Sequence, residues 1–234
     1  MPTYRQFCPV AKAAEIFAER WTPLILRELL MGSHRFGEIE AGVPRISKSL
    51  LTQRLRFLER AGLIERRPSA DGRVSEYHLT LAGQELYGVV EQLGVWGQRW
   101  ANLQIDPEEL DPDLLMWDMR RRIYLERLPD RRVVVEFAFT GSHQGQYWLI
   151  LERHEVSICL DHPGYEPDLF VIVDTLAFHN IWMGHLSFAA ALSNRLVQID
   201  GPSELAHAFP GWLKLNMFAD IRPVQDSTIR LAGQ

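Results

Sequence analysis

Residues 47–62 read SKSLLTQRLRFLERAG. Ser47 suits a helix N-cap, because a short hydroxyl can accept one of the unpaired first-turn N–H groups. Leu51, Leu55 and Leu58 then recur at helical spacing and form one apolar stripe. Ser49, Thr52, Gln53, Arg56 and Arg60 fall on the other side. The stretch predicts a helix that buries its leucines and turns short donors, acceptors and arginines outward.

Upstream, CPVAKAAEIFAE (8–19) and WTPLILRELLMG (21–32) read as two helices, the second apolar at Leu24, Ile25, Leu29 and Leu30 and ended by Gly32. FGEIEAGVPRIS (36–47) is a short helix broken at Gly42-Val43-Pro44. Downstream, LIERRP (63–68) and VSEYHLT (74–80) are strand candidates separated by SADGR (69–73), whose Asp71-Gly72 is a hairpin signal. Thr80 caps a long helix, LAGQELYGVVEQLGVWGQRWANL (81–103). Short helix, turn, amphipathic helix and basic hairpin is the order of a winged helix-turn-helix.

Each part suits a DNA duplex. A helix about 10–12 Å across fits a major groove about 12 Å wide, and an arginine among short polar side chains can pair with a guanine edge. Ser49, Thr52, Gln53 and Arg56 are the base-reading candidates. Ser47 and Lys48 lie at the positive end of the helix dipole, where a phosphate is favoured. Arg73 at the hairpin tip is placed to enter the minor groove or to lie along the backbone. Arg35, Arg45, Arg66 and Arg67 are further phosphate candidates. A leucine stripe opposed by polar residues also describes an ordinary surface helix, so it is the order of elements that separates the two readings.

The same residues carry a resemblance. Cys8-Pro9 opening the first helix, Trp21 with LILREL, Arg35-Phe36, Ile46-Ser47, QRLRFLERAGLIERR, Glu76-Tyr77 and Leu79-Thr80 resemble the HxlR family of winged-helix regulators, within the wider MarR-like group, over about residues 7–100. The resemblance implies homodimers that bind double-stranded DNA and repress or activate nearby genes. The tip PSADGRVSEY departs from it, since many relatives carry prolines there. Cys8 stands where some relatives have a redox-responsive thiol, and a single cysteine near an N-terminus also simply packs.

Leu86, Val89, Leu93, Trp96, Trp100 and Leu103 alternate at steps of three and four. Such a stripe either pairs with a second copy or is covered by the rest of the chain. Gly88, Gly94 and Gly97 cost helix propensity, about 1 kcal/mol each relative to alanine, but permit close backbone approach. Two-fold pairing would set two reading helices about 34 Å apart and predicts a pseudo-palindromic operator.

Over 234 residues, 47% are hydrophobic and 24% charged, with a net charge of −5. The first hundred residues hold 14 Lys and Arg against 11 Asp and Glu, a net +3; the remainder hold 11 against 19, a net −8. Acidity therefore belongs to the second half and does not oppose DNA binding by the first. The two cysteines, Cys8 and Cys159, supply neither a disulfide framework nor a metal cluster. No run approaches the roughly 18 apolar residues of a membrane span, and the opening MPTYRQFCPVAK lacks an apolar signal core, so a cytoplasmic protein with no membrane partner is expected.

IDPEELDPDLL (105–115), with two Asp-Pro steps, marks a boundary between a domain over 1–105 and another over 112–234. In the second, RRVVVEFAFTG (131–141), GQYWLILE (145–152) and EVSICLD (155–161) read as an antiparallel sheet and LVQIDG (196–201) as a later strand. Helices start at a cap on Asp174, Ser187 and Ser203. The overall class is α+β. The stretch PDLFVIVDTLAFHNIWMGHLSFAAALSNRLVQIDGPSELAHAFPGWL, with Trp182, Gly184 and Ala189 to Ala191, resembles the sterol carrier protein type-2-like family over about residues 115–220, which implies a tunnel for a small hydrophobic ligand. Trp148, Phe178, Trp182, Phe188, Trp212 and Phe218 line a cavity or fill a core. His179 and His185, six apart, lack the helical spacing of a metal pair, and no nucleophile elbow, Ser-x-x-Lys or phosphate loop is present, so no metal, cofactor or enzyme activity is expected. Two rivals remain at this level: a lipid carrier whose winged helix serves protein contacts, and an enzyme built on the second domain.

Overall fold

The computed structural model describes residues 3–70, 72–101 and 105–224. They form two compact units, Met1–Gly94 and Val95–Gln234.

In the first unit, α1 (Pro9–Phe17), α2 (Thr22–Leu30), α3 (Phe36–Gly42) and α4 (Lys48–Arg60) precede a hairpin of β1 (Ile64–Pro68) and β2 (Ser75–Leu79). Ile25, Leu26 and Leu29 of α2, Ile39 of α3 and the predicted stripe Leu51, Leu55 and Leu58 of α4 meet in one buried core. The hairpin pairs Ile64 with Leu79 through Pro68 with Ser75, and Gly72 supplies the positive φ of +67° its tip requires. Asp71, the other half of the turn signal, lies outside the described residues. Tyr77 N–H donates to the His34 carbonyl at 2.8 Å, which ties β2 to the segment between α2 and α3.

The helix expected over 81–103 is divided. It runs as α5 (Leu81–Glu85) and α6 (Tyr87–Trp96), followed by a π-helical turn at Gly97–Ala101. At the division the chain tightens through a bond from Leu86 N–H to the Gly83 carbonyl, as Leu86 packs onto the first core. Gly83 allows this packing, since a Cβ there would lie 2.2 Å from the Leu63 carbonyl oxygen. Leu103 falls outside the described residues.

The second unit holds α7 (Pro112–Arg120), β3 (Val133–Thr140), β4 (Gly145–Glu152), β5 (Glu155–Cys159), β6 (Leu169–Asp174), α8 (Thr175–Trp182), α9 (Phe188–Ser193), β7 (Val197–Asp200) and α10 (Ser203–Ala208). The sheet order is β5-β4-β3-β6-β7, with β3 and β6 parallel and the other pairs antiparallel. This corrects the antiparallel expectation: the sheet is mixed because LFVIVD, not counted among the expected strands, is a strand beside its centre. Leu169, Val171 and Val173 alternate into the core, and the strand runs without a loop into the Asp174 cap, whose carboxylate accepts from Ala177 N–H at 3.0 Å. Ser187 caps α9 as expected, accepting from Ala190 N–H at 3.1 Å. Ser203 does not cap α10; Pro202 occupies that position and Ser203 is the first helical residue.

His179 on α8 is held well below the usual imidazole value, at about 4, first by burial and then by the charge of His185. A folded-state value below the unfolded one of about 6.5 means the unfolded chain binds the proton first. The second unit keeps this contribution above about pH 6.5 and loses it as pH falls toward 4, by an amount on the order of 2–3 kcal/mol. Urea titrations at pH 7.5 and 4.5 should show the loss, and His179→Gln should shrink it. An undiminished loss in that variant would assign it to another group.

Among the described residues, no helix is long and apolar enough to cross a membrane.

Candidate nucleic-acid interface

The cap on α4 forms as its sequence implies: Ser47 Oγ accepts from Leu50 N–H at 3.3 Å. With the leucines buried, the opposite face of α4 and the start of the hairpin enclose a groove of about 430 Å³, lined by Ser49, Thr52, Gln53, Arg56, Glu59, Arg60 and Arg66. The four base-reading candidates therefore share one surface. Thr52 Oγ1 donates back to the Lys48 carbonyl at 2.8 Å, so its remaining capacity toward the groove is as an acceptor.

Three groove residues stand outside the base-reading set: Glu59, Arg60 and Arg66. Glu59 places a carboxylate 3.5 Å from Arg66 Nε, and the Arg66 guanidinium stands 5.8 Å from the Tyr77 ring centroid. Arg66 is thus held between a carboxylate and a ring and is not freely solvated. The sequence signal was the spacing of Glu59 and Arg60 three and four residues beyond Arg56, which continues the same face.

The other candidates lie apart from the groove lining. Lys48, exposed at the start of α4, pairs with Glu40 of α3 at 3.6 Å. Arg35 precedes α3 and pairs with Glu76 of β2 at 3.2 Å. Arg73 is exposed beyond the hairpin tip. Ser47 Oγ is engaged by its cap and lies 3.2 Å from Ser49 Oγ.

What sets α3 against α2 is a group that no sequence pattern identified. Glu28 is completely buried. Arg27 Nη2 donates to Glu28 Oε1 at 2.8 Å and to the Gly42 carbonyl at 2.8 Å, while Ser33 Oγ donates to Glu28 Oε2 at 3.3 Å. Glycine is required at 42, because a Cβ would lie 2.0 Å from the Glu28 carboxyl group. This cluster fixes the entry to the turn that leads into α4.

On α6, Val89, Leu93 and Trp96 are 49%, 48% and 47% exposed and recur at steps of four and three, forming an outward apolar face. Leu86 turns the other way, onto the core, and Trp100 is half-buried. In the second unit Phe178, Trp182 and Trp212 are buried: Phe178 stacks on Trp182 and meets Phe137 edge-on, Phe209 stands edge-on to Phe137 and Trp212, and Phe188 is edge-on to Phe209 at 6.4 Å. Trp148 does not join them: it faces the other side of the sheet, edge-on to His162 at 5.6 Å. Phe218 is half-buried in the C-terminal segment.

A helix-turn-helix whose second helix displays a polar groove beside a basic hairpin defines a winged-helix protein. Residues 16–105 match the model of the HxlR-like helix-turn-helix family. YvaP of Bacillus subtilis, named an uncharacterized HTH-type transcriptional regulator, is 39% identical over 109 residues, which cover 45% of this chain and 96% of YvaP. The chain belongs to the HxlR-like helix-turn-helix family. Rv3095 of Mycobacterium tuberculosis, named likewise, is 43% identical over 94 residues, 39% of this chain and 58% of that protein. The reduced form of the transcriptional regulator YodB from Bacillus subtilis is 30% identical, over 43% of this chain and 100% of that one, with a TM-score of 0.37.

Proposed function

We propose that this protein is a DNA-binding transcriptional regulator. It acts as a homodimer on a pseudo-palindromic operator, with residues 1–105 as the DNA-binding and dimerisation domain and residues 112–234 as a sterol carrier protein type-2-like domain that takes a small apolar ligand. The observation that carries the DNA reading is the single groove shared by Ser49, Thr52, Gln53 and Arg56 on α4. In this reading α4 enters the major groove, Arg56 reads a guanine edge, Lys48 and Arg66 hold phosphates, and Arg73 follows the backbone or the minor groove. The outward face of Val89, Leu93 and Trp96 supports pairing of two copies. The aromatic stack around Phe178 and Trp182 supports an apolar interior in the second domain, within which a ligand would have to displace packed rings.

The test is titration of the full-length protein against the DNA flanking its own gene across a salt series. Arg56→Ala should weaken binding to the preferred site by about 1–3 kcal/mol while sparing non-specific binding. Lys48→Ala should weaken binding to every sequence alike and lower the salt slope by about one. Wild-type affinity in Arg56→Ala would remove the base-reading assignment. Absence of any DNA binding by the wild type would leave the hairpin and α4 as a protein-contact surface.

A further inference from the structure

The second unit is acidic overall, yet on one surface three cations, Arg122, Arg127 and Lys214, lie together, with Glu126 the neighbouring carboxylate in sequence and in no ion pair with them. The segment after α7 pairs with the chain after α10 through an antiparallel bridge between Ile123 and Leu213. Tyr124 N–H donates to the Trp212 carbonyl at 2.8 Å, and Lys214 N–H to the Arg122 carbonyl at 2.7 Å. Ile123, Leu213 and Trp212 are buried, whereas Arg122, Tyr124 and Lys214 are half-buried and reach solvent. The bridge sets Arg122 and Lys214 directly opposite each other, an arrangement that like charges oppose.

Two cations also crowd one ring. The Arg127 guanidinium carbon is 3.9 Å from the Tyr124 ring centroid and Lys214 Nζ is 4.7 Å from it, so the two lie no further apart than the sum of those distances, 8.6 Å. Arg127 Nη1 is anchored on the Gly211 carbonyl at 2.8 Å, which orders the side chain and leaves its other donors available. Four other arginines of this unit hold carboxylates, Arg121 with Asp118, Arg131 with Asp168, Arg132 with Glu152 and Arg153 with Asp130, whereas Arg99, Arg195 and Arg222 lie singly elsewhere in the sequence. Among the described residues, Arg122, Arg127 and Lys214 form no such pair. Because cations already occupy the Tyr124 ring, it is not available to stack on a base.

From this geometry we infer that Arg122, Arg127 and Lys214 form a second nucleic-acid contact, a sequence-independent seat for the phosphodiester backbone of duplex DNA. A phosphate brought between opposed cations relieves their repulsion, and neutralised phosphates release counterions that add to affinity. The exposed position of Arg127 suits an extended polyanion. This inference rests on the DNA-binding reading of α4 but on none of its residues.

The test uses the full-length protein and a duplex of unrelated sequence, with affinity measured from low to moderate salt. The variant Arg127→Gln/Lys214→Gln should reduce the slope of log affinity against log salt by about two, measured at a temperature where its circular dichroism matches that of the wild type. If Lys48→Ala lowers the slope and the double variant does not, the second contact is refuted and the reading of α4 stands. If the wild type binds no duplex at any salt, both fall. If polyglutamate competes as well as DNA at equal charge and ionic strength, the patch is a general polyanion sink and the assignment to DNA is refuted.

Discussion

Arg27→Ala should destabilise the first unit by about 3 kcal/mol and abolish DNA binding under conditions where the wild type binds. Glu28 is wholly out of water, and Arg27 is its charged partner, one-third exposed, holding Oε1 through both Nε and Nη2 at 3.1 and 2.8 Å. Truncating the arginine takes from a wholly buried carboxylate the charged partner on its Oε1, which costs far more than the pair itself contributes. It also releases the Gly42 carbonyl, and with it the end of α3. Urea denaturation followed by a helix signal of the first unit measures the loss. Arg27→Ala combined with Glu28→Gln should recover a substantial part of it, because a neutral amide is easier to bury. If the double variant is as unstable as the single one, the loss comes from packing and not from charge.

Phe137→Ala should lower the stability of the second unit by about 3–5 kcal/mol. Phe137 is completely buried on β3, with ring centroids 5.9 Å from Phe139, 5.8 Å from Phe178 and 5.9 Å from Phe209. Its removal takes apolar surface out of contact and leaves a cavity bounded by the central strand, by α8 and by the turn after α10, elements too constrained to collapse inward. Thermal unfolding of the second unit reads the effect, and a loss under about 1 kcal/mol would mean that the neighbouring rings close the space. Since Phe178 stands against Phe137, the same variant should also alter any ligand binding by this domain.

The first unit was legible because its signals are local. Ser47 and Thr80 cap the helices expected of them, Leu51, Leu55 and Leu58 turn inward together, and Gly72 sits at a hairpin tip. Helical periodicity and turn chemistry act over a few residues, so a sequence displays them directly. The outward polar face of α4 follows by subtraction, as the side left over once the leucines are buried. β6 was hidden for the same kind of reason: its alternation lasts six residues and runs into a helix cap, and only its parallel partner β3, more than thirty residues earlier, distinguishes it from a helix approach.

Charge behaved in the opposite way. Composition divides the chain into a basic part and an acidic part, yet which cations are compensated depends on chain crossings. Arg66, a phosphate candidate by its sequence, is held by Glu59 and Tyr77; Arg122 and Lys214, 92 positions apart in number, are brought face to face by one bridge. The buried cluster of Arg27, Glu28, Ser33 and Gly42 is equally invisible in one dimension, because it depends on the close approach of α2 and α3. The amino-acid sequence alone determined the winged helix-turn-helix and the helix that faces outward, through short-range periodicity and capping. Tertiary structure alone decided the parallel centre of the second sheet, the placement of Trp148 on the face opposite the other aromatics, and the pairing of each charge, since these depend on which distant segments the folded chain brings within a few ångströms.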